Sequence, residues 1–350
     1  MTIDMMQYEG RKRDHIKWAL DHRSQASLGT GFDRIHLSHD ALTEQNLKDI
    51  KIPSGTLYVS GMTAGHEAAR EINDRLALAC VENHWAMGVG SQRRDLVGEE
   101  MSSTYENWLR FRDQFPKLEL FANIGISQLK NLSEERLEKL LFEMNAQALV
   151  IHTNPLQESI QIEGTPDFRG VVDQLRLWVQ WSKIPVVLKE TGSGFSDQSL
   201  AKLSHLKPNQ LHAIDVSGRG GTHWGRVEGL RAGEGSVAHN ISDTFSQWGE
   251  STLDSVFAFN RWKTSSASTT QLWVSGGVRT GLDAAKSLAL GAARVGYAKP
   301  AMDAALQGED SLNQWMQQMI QELKIALFCT GCGNVNDLQN REGLWKIVNN

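Results

Sequence analysis

The feature that most restricts this chain is a repetition. Eight short apolar runs rich in Val, Ile, Leu and Ala each meet a small or polar residue at or just past their end, and amphipathic stretches of helical length lie between most of them. The runs are Thr56–Met62, Trp85–Gly90, Leu118–Ile124, Ala148–His152, Pro185–Glu190, Leu211–Ser217, Gln271–Gly276 and Ala293–Ala298. The clearest helical stretches are Ala68–Glu82, Glu134–Met144, Val171–Trp181 and Leu282–Leu290. From one run's end to the next, six of the seven intervals span 22 to 38 residues, enough for a helix, its loops and a strand. Only the step from Ser217 to Gly276, 59 residues, is longer, and its Gly218–Gly235 segment reads as a long loop serving as a lid or binding loop.

Eight strand–helix units in a row predict an α/β chain folded as a single closed (β/α)8 barrel, because a parallel strand buried on both faces needs a right-handed helical crossover to its neighbour. An open doubly wound sheet is the rival, and the number of strands argues against it. The dinucleotide fingerprint is also missing: Gly88-Val-Gly-Ser-Gln-Arg93 lacks the third glycine and follows the second strand rather than the first. Residues 1–50 precede the barrel as a segment expected to cover its mouth, and 51–350 form the barrel itself.

Composition narrows the function classes. With 36 Lys and Arg against 41 Asp and Glu, the formal charge is −5, so no global basic field draws nucleic acid or an anionic membrane. No apolar export core follows Met1-Thr2-Ile3-Asp4, and no run approaches the roughly 20 apolar residues of a membrane helix. The expected location is cytoplasmic. Three cysteines, Cys80, Cys329 and Cys332, cannot supply a disulfide framework, and the lone Cys329-Thr-Gly-Cys332 lacks the second ligand pair of a zinc site.

In such a barrel function gathers at the carboxyl ends of the strands, and here those ends carry polar residues almost every time. Turn chemistry accounts for the glycines and some Ser or Asn. It accounts poorly for Lys189, which ends an otherwise apolar Pro-Val-Val-Leu strand and needs an anionic partner to offset its desolvation. Ser275-Gly-Gly-Val-Arg279 ahead of a helix, with Gly296-Tyr-Ala-Lys-Pro300 after the last strand, suits the phosphate site of the fold. A ligand with a phosphate tail and a flat ring would use those amides together with Thr63, Ser91 and Asn123, which fits flavin mononucleotide (FMN) better than a dinucleotide. A second anion site is suggested by Arg11-Lys-Arg-Asp-His15 and Arg93, suited to a diphosphate. On the loop expected after the fourth strand, Glu158 has the hard oxygen chemistry for Mg²⁺, and neutral Gln157 can only relay or orient a proton.

Together these motifs resemble one family, the type 2, FMN-dependent isopentenyl-diphosphate isomerases. Arg-Lys-x-x-His, Met-Thr-x-Gly, Gly-Ser-Gln-Arg, Ala-Asn-Ile-Gly, His-x-Asn-Pro-Leu-Gln-Glu, Val-Leu-Lys-Glu, Asp-x-Ser-Gly-Arg-Gly-Gly-Thr and Ser-Gly-Gly-Val-Arg-x-Gly-Leu-Asp stand in order from Arg11 to about Pro300. The resemblance implies interconversion of isopentenyl and dimethylallyl diphosphate with reduced FMN and Mg²⁺, NADPH as flavin reductant, and a homotetramer or homo-octamer. It assigns Met62, Thr63, Ser91, Asn123, Lys189, Ser217, Thr222, Gly276, Gly277, Arg279 and Ala298 to FMN. Arg11, Lys12, His15, Arg93, His152, Asn154 and Gln157 would line the substrate, with Gln157 and His152 nearest the chemistry, and Glu158 would bind magnesium. The chain departs from the family at Ala64, Thr191, Ser193 and the Cys329–Cys332 pair.

Moving a double bond by one carbon needs a proton added at one end of the allyl unit and another removed two carbons away. The resemblance implies that the reduced flavin exchanges that proton, leaving Gln157 and His152 to position or shuttle, and that Lys189 beside the flavin favours its anionic reduced form. Two related barrels fit less well. The α-hydroxy-acid oxidases place a basic His in the turn where this chain has Arg219, which cannot accept a proton, and inosinate-dehydrogenase-like barrels need a loop cysteine where none stands. A silent flavin- or phosphate-binding scaffold would need only one of the two sets of motifs.

Overall fold

The computed structural model describes residues 14–62, 67–96, 101–207 and 209–348. Eight parallel strands close into a barrel: β2 (Leu57–Val59), β3 (Ala86–Gly88), β4 (Leu120–Gly125), β5 (Ala148–Thr153), β6 (Val186–Glu190), β7 (Ala213–Asp215), β8 (Gln271–Val274) and β9 (Ala292–Tyr297), with β9 pairing back to β2. The (β/α)8 expectation holds strand for strand. Several strands are shorter than their apolar runs, because the polar residues closing each run leave the ladder and turn into the rim.

Strand alternation divides the core in two. Tyr58, Ala86, Phe121, Ala148, Val150, Val187, Ala213 and Trp273 point into the barrel and form their own buried cluster, while Val59, Met87, Leu120, Leu149 and Leu188 point outward under the helices. One register step further along the same strands, the inward positions are Asn123, His152, Lys189 and Asp215. The period of two that packs the lumen therefore also aims these polar groups at its upper end.

The expected helices appear as Glu67–Asn83, Glu134–Glu143, Val171–Trp181 and Gly281–Ala289. Two expectations are corrected. The Gly218–Gly235 segment is not one long loop: after a short glycine-rich turn it enters the helix Trp224–Arg231, and the helices Val237–Thr244 and Thr252–Ser266 follow before β8. Ser236 and Ser251 side chains cap the second and third of these, supplying start signals that the glycine count obscured. Gln157 and Glu158 lie not on a loop but on a short helix, Pro155–Ile160, started by Asn154 and Pro155.

Residues 14–20 are helical and run over the carboxyl ends of the strands. The following segment is stitched to the β7 turn: the Ala26 amide donates to the Gly221 carbonyl at 2.8 Å and the His223 amide to the Ser24 carbonyl at 2.8 Å. Beyond it, β1 (Ile35–Leu37) pairs antiparallel with β10 (Trp345–Ile347). Among the described residues, no helix is long and apolar enough to cross a membrane.

Candidate active site at the carboxyl ends of the strands

One cavity of about 540 Å³ opens at the carboxyl ends of the strands, within the usual size range of small-molecule sites. It is lined by His15, Met62, Ser91, Arg93, Asn123, His152, Asn154, Gln157, Glu158, Lys189, Ser217, Thr222, Gly276, Gly277, Arg279 and Ala298. Every candidate residue within the described parts of the chain is thus brought to one place. Arg11, Lys12 and Thr63 lie outside the described residues.

Lys189 is 7% exposed, and the anion it needs is close by. Its ammonium donates to the Glu190 carbonyl at 2.9 Å and Ser275 Oγ at 3.1 Å, and pairs with Asp215 Oδ2 at 3.3 Å. Ser275 Oγ in turn donates to Asp215 Oδ1 at 2.8 Å, and the Tyr58 hydroxyl reaches Asp215 Oδ2 from β2 at 2.6 Å. Burial, then the neighbouring carboxylate, pushes the Tyr58 phenol well above its usual pKa, so it donates to Asp215 throughout the physiological range. Asp215 opens the Asp-x-Ser-Gly-Arg-Gly-Gly-Thr motif but carries no assigned role in the sequence, and Tyr58 is not marked there. An acid ending the apolar Leu-His-Ala-Ile run was the available signal for Asp215; nothing marked Tyr58 beyond its place in a strand.

The adjoining Glu190 is fully buried, and desolvation raises its pKa from 4.5 to about 7 against the pull of the Ser193 amide and of Lys189. Its carboxyl also accepts from the Gly194 amide at 3.0 Å, pinning the turn that carries Thr191 and Gly192 into the cavity wall.

The glycine-rich turns after β7 and β8 pack backbone to backbone. Gly276 has φ +90°, and a Cβ there would stand 2.4 Å from the Gly218 carbonyl oxygen, so a side chain is excluded both by conformation and by space. Ser217, on the facing turn, holds φ +31°, a strained value for a residue with a side chain. Beside these turns the helix Lys299–Gln307 begins at Ala298 without a side-chain cap, and Ala298, Lys299 and Pro300 line the cavity. Uncapped helix amides and a half-buried glycine turn facing one cavity could hold a phosphate. Arg279 lies at its edge, donating to the Gly220 carbonyl at 2.9 Å.

The remaining polar groups converge on a carboxylate the sequence did not mark. Glu228, on the helix Trp224–Arg231, is 2% exposed and accepts from Gln157 Nε2 at 2.7 Å and Arg231 Nε at 3.0 Å, with His15 Nε2 at 2.9 Å. Desolvation alone would raise its pKa, but His15, Gln157 and Arg231 outweigh it and hold the carboxyl at about 2, ionised at any working pH. Gln157 Oε1 accepts from Asn154 Nδ2 at 2.9 Å, and Trp224 meets His15 edge-on at 5.9 Å between ring centres. His152 Nδ1 lies 2.8 Å from Asn123 Oδ1, a carbonyl oxygen that can only accept, so the imidazole hydrogen sits on Nδ1.

Glu158 is 6% exposed and is held by the Thr165 amide at 2.6 Å and Asn154 Nδ2 at 3.3 Å, one donor on each oxygen. Each oxygen keeps a further lone pair. Among the described residues no group of three or more His, Cys, Asp or Glu side chains is arranged to hold a metal. One carboxylate with free lone pairs, completed by a substrate's own phosphate oxygens, is nonetheless the usual protein share of a Mg²⁺ site, so Glu158 could hold that ion.

Arg219 does not reach the cavity; its Nε donates to the Gly249 carbonyl at 3.1 Å. His223, the nearby imidazole, is buried, accepts from the Arg226 amide at 3.1 Å and is held neutral by desolvation and Arg226. Neither lines the cavity, so neither stands where the base of an α-hydroxy-acid oxidase would act.

Residues 212–346 match the FMN-dependent dehydrogenase family. Isopentenyl-diphosphate delta-isomerase of Bdellovibrio bacteriovorus is 44% identical over 348 residues, 96% of this chain and 97% of that protein, and the Legionella pneumophila (strain Corby) enzyme of the same name is 44% identical over 97% and 99%. This chain belongs to the type 2 isopentenyl-diphosphate delta-isomerases. As a type 2 isomerase it shares its fold with distant flavoenzymes: a mandelate oxidase bound to (S)-mandelic acid superposes with a TM-score of 0.61 over the whole of both chains, at 14% identity.

Proposed function

We propose that this type 2 isomerase interconverts isopentenyl and dimethylallyl diphosphate, using reduced FMN and Mg²⁺ in the cavity at the carboxyl ends of its strands. One observation carries the reading: the glycine turns and an uncapped helix start, a buried cation and a group of neutral and acidic side chains all open into one cavity of about 540 Å³, within the size range of small-molecule sites.

Residues Gly276, Gly277 and Ala298 would hold the FMN phosphate by backbone amides, Met62, Thr63, Ser91, Asn123, Ser217 and Thr222 would surround the ring, and Lys189 would meet its pyrimidine edge. When bound, reduced flavin supplies a ring nitrogen able to exchange a proton with the alkene. The chain itself binds and orients. Arg93 and His15, with Arg11 and Lys12, would take the diphosphate, and Glu158 would bring Mg²⁺ to the same oxygens. His152 is fixed in one tautomer by Asn123. Gln157 is held through both ends of its amide, by Asn154 and by Glu228, so it can place the allyl unit without changing charge. Residues 1–50 would cover the mouth and exclude water, NADPH would reduce the flavin, and the working form would be a cytoplasmic tetramer or octamer.

The test is direct. Purified protein should show an oxidised flavin spectrum, and after anaerobic reduction with dithionite it should convert isopentenyl diphosphate to dimethylallyl diphosphate only when Mg²⁺ is present. A colourless protein that takes up no FMN, or oxygen uptake on a 2-hydroxy acid in place of isomerisation, would overturn the reading.

A further inference from the structure

The lumen of the barrel below the cavity holds a polar contact that the reaction does not obviously require. Asp215 is 1% exposed and Tyr58 3%, and neither lines the main cavity. Tyr58 rises from β2 and reaches across the lumen to β7, with its ring tilted against Trp273 at 5.5 Å and edge-on to Phe121 at 6.1 Å. Room for it is made deliberately: a Cβ at Gly296 would lie 2.4 Å from the Tyr58 ring and 2.6 Å from its hydroxyl oxygen. A phenylalanine would fill the same space and pack on the same two rings. The hydroxyl is what needs explaining.

Its partner supplies the explanation. Asp215 is the counter-ion of Lys189, and Lys189 is the cation at the cavity floor. A buried carboxylate with few donors binds its ammonium closely and cancels its charge; one that also accepts from neutral hydroxyls spreads its charge over those bonds and leaves more of the cation's field directed elsewhere. Asp215 has two such hydroxyls, Ser275 at 2.8 Å and Tyr58 at 2.6 Å.

We propose that Tyr58 is a positioning residue that acts through Asp215, sharing that carboxylate so that the Lys189 ammonium stays directed at the cavity and favours an anionic ligand ring over a neutral one. This rests on the FMN reading above. It goes beyond that reading in assigning the redox preference of the bound flavin to a tyrosine that never touches it.

The experiment measures the two-electron midpoint potential of bound FMN, together with FMN affinity in the oxidised state, in the native protein and in Tyr58→Phe, Asp215→Asn and the double variant. Tyr58→Phe is expected to bind oxidised FMN within twofold of native and to lose about tenfold in its preference for reduced over oxidised flavin, about 30 mV more negative for a two-electron couple. Asp215→Asn removes the competing charge and moves the ratio the other way, and in that background Tyr58→Phe adds nothing. A merely structural role would lower affinity for both flavin states alike and persist in the double variant. Unchanged potential in Tyr58→Phe, or the same shift with and without Asp215, overturns the proposal. Should Tyr58→Phe fail to fold, Asp215→Asn alone still decides: an unchanged or more negative potential refutes the idea. Native protein that takes up no FMN would instead sink the flavin reading, a distinct result.

Discussion

Two groups of polar side chains meet in the cavity, and they are held in different ways. Lys189 and Ser275, backed by Asp215 and Tyr58, stand on or beside barrel strands and take their direction from the inward half of the strand alternation. His15, Gln157 and Glu158, backed by Glu228, stand on three helices distant in sequence: residues 14–20, Pro155–Ile160 and Trp224–Arg231. The first group is fixed by the same ladder that makes the core, so disturbing it should cost stability. The second is fixed by hydrogen bonds between separate pieces, so disturbing it should cost geometry and turnover more than folding.

The comparison breaks first at the strand-held side. Gly276→Val forces a side chain into a left-handed backbone position against the Gly218 carbonyl, and should destabilise the protein by at least about 4 kcal/mol in urea unfolding. A fold that tolerates it would mean the two turns are not locked together. Next, Lys189→Ala leaves Asp215 buried without its cation and should cost about 3 kcal/mol in the FMN-free protein. The same variant should weaken reduced FMN more than oxidised FMN; equal weakening would remove Lys189 from the flavin's neighbourhood.

On the helix-held side, Glu228→Gln should cost about 2 kcal/mol near neutral pH, since one neutral amide replaces a charge shared by His15 and Arg231. The native carboxyl has a depressed pKa, so its contribution is present above about 4.5 and is lost as the pH falls toward about 2. Native and variant stabilities should therefore converge in acid, and isomerisation should fall by more than the neutral-pH stability loss would suggest. A gap that stays constant with pH would deny the ionised state of Glu228. The smallest effect has the opposite sign. Glu190 has a raised pKa, so the native protein loses stability as the pH climbs from about 4.5 through about 7, and Glu190→Gln, which keeps an acceptor for the Ser193 and Gly194 amides, should be on the order of 1 kcal/mol more stable at pH 8 and level with native near pH 4. Guanidinium melts at the two pH values would settle it.

The same division sets what the sequence could reveal. Each barrel strand is a compact apolar run ending at a rim residue, so Lys189, Asn123, His152 and the Gly276–Gly277 turn could be picked out one at a time from local pattern. Gln157 and Glu158 were legible as residues but not as a helix, because Asn154-Pro155 reads equally as a turn and as a helix start. Glu228 was not legible at all. It lies in a short helix of mixed composition within a glycine-rich stretch, and its role arises only where His15 and Gln157 approach it from segments far away along the chain. Tyr58 failed for a related reason: a strand tyrosine is ordinary until Asp215 is found across the lumen.

The ribbon joining residues 35–37 to 345–347 gives this arrangement an unexpected lever. The segment that delivers His15 to the cavity is moored downstream by a strand from the opposite extreme of the sequence, so shortening the chain ahead of Trp345, or fusing a bulky domain close behind Ile347, would slacken the mooring and be felt first as poorer capture of the diphosphate. A cloning choice made far from any reacting atom would then masquerade as an active-site defect.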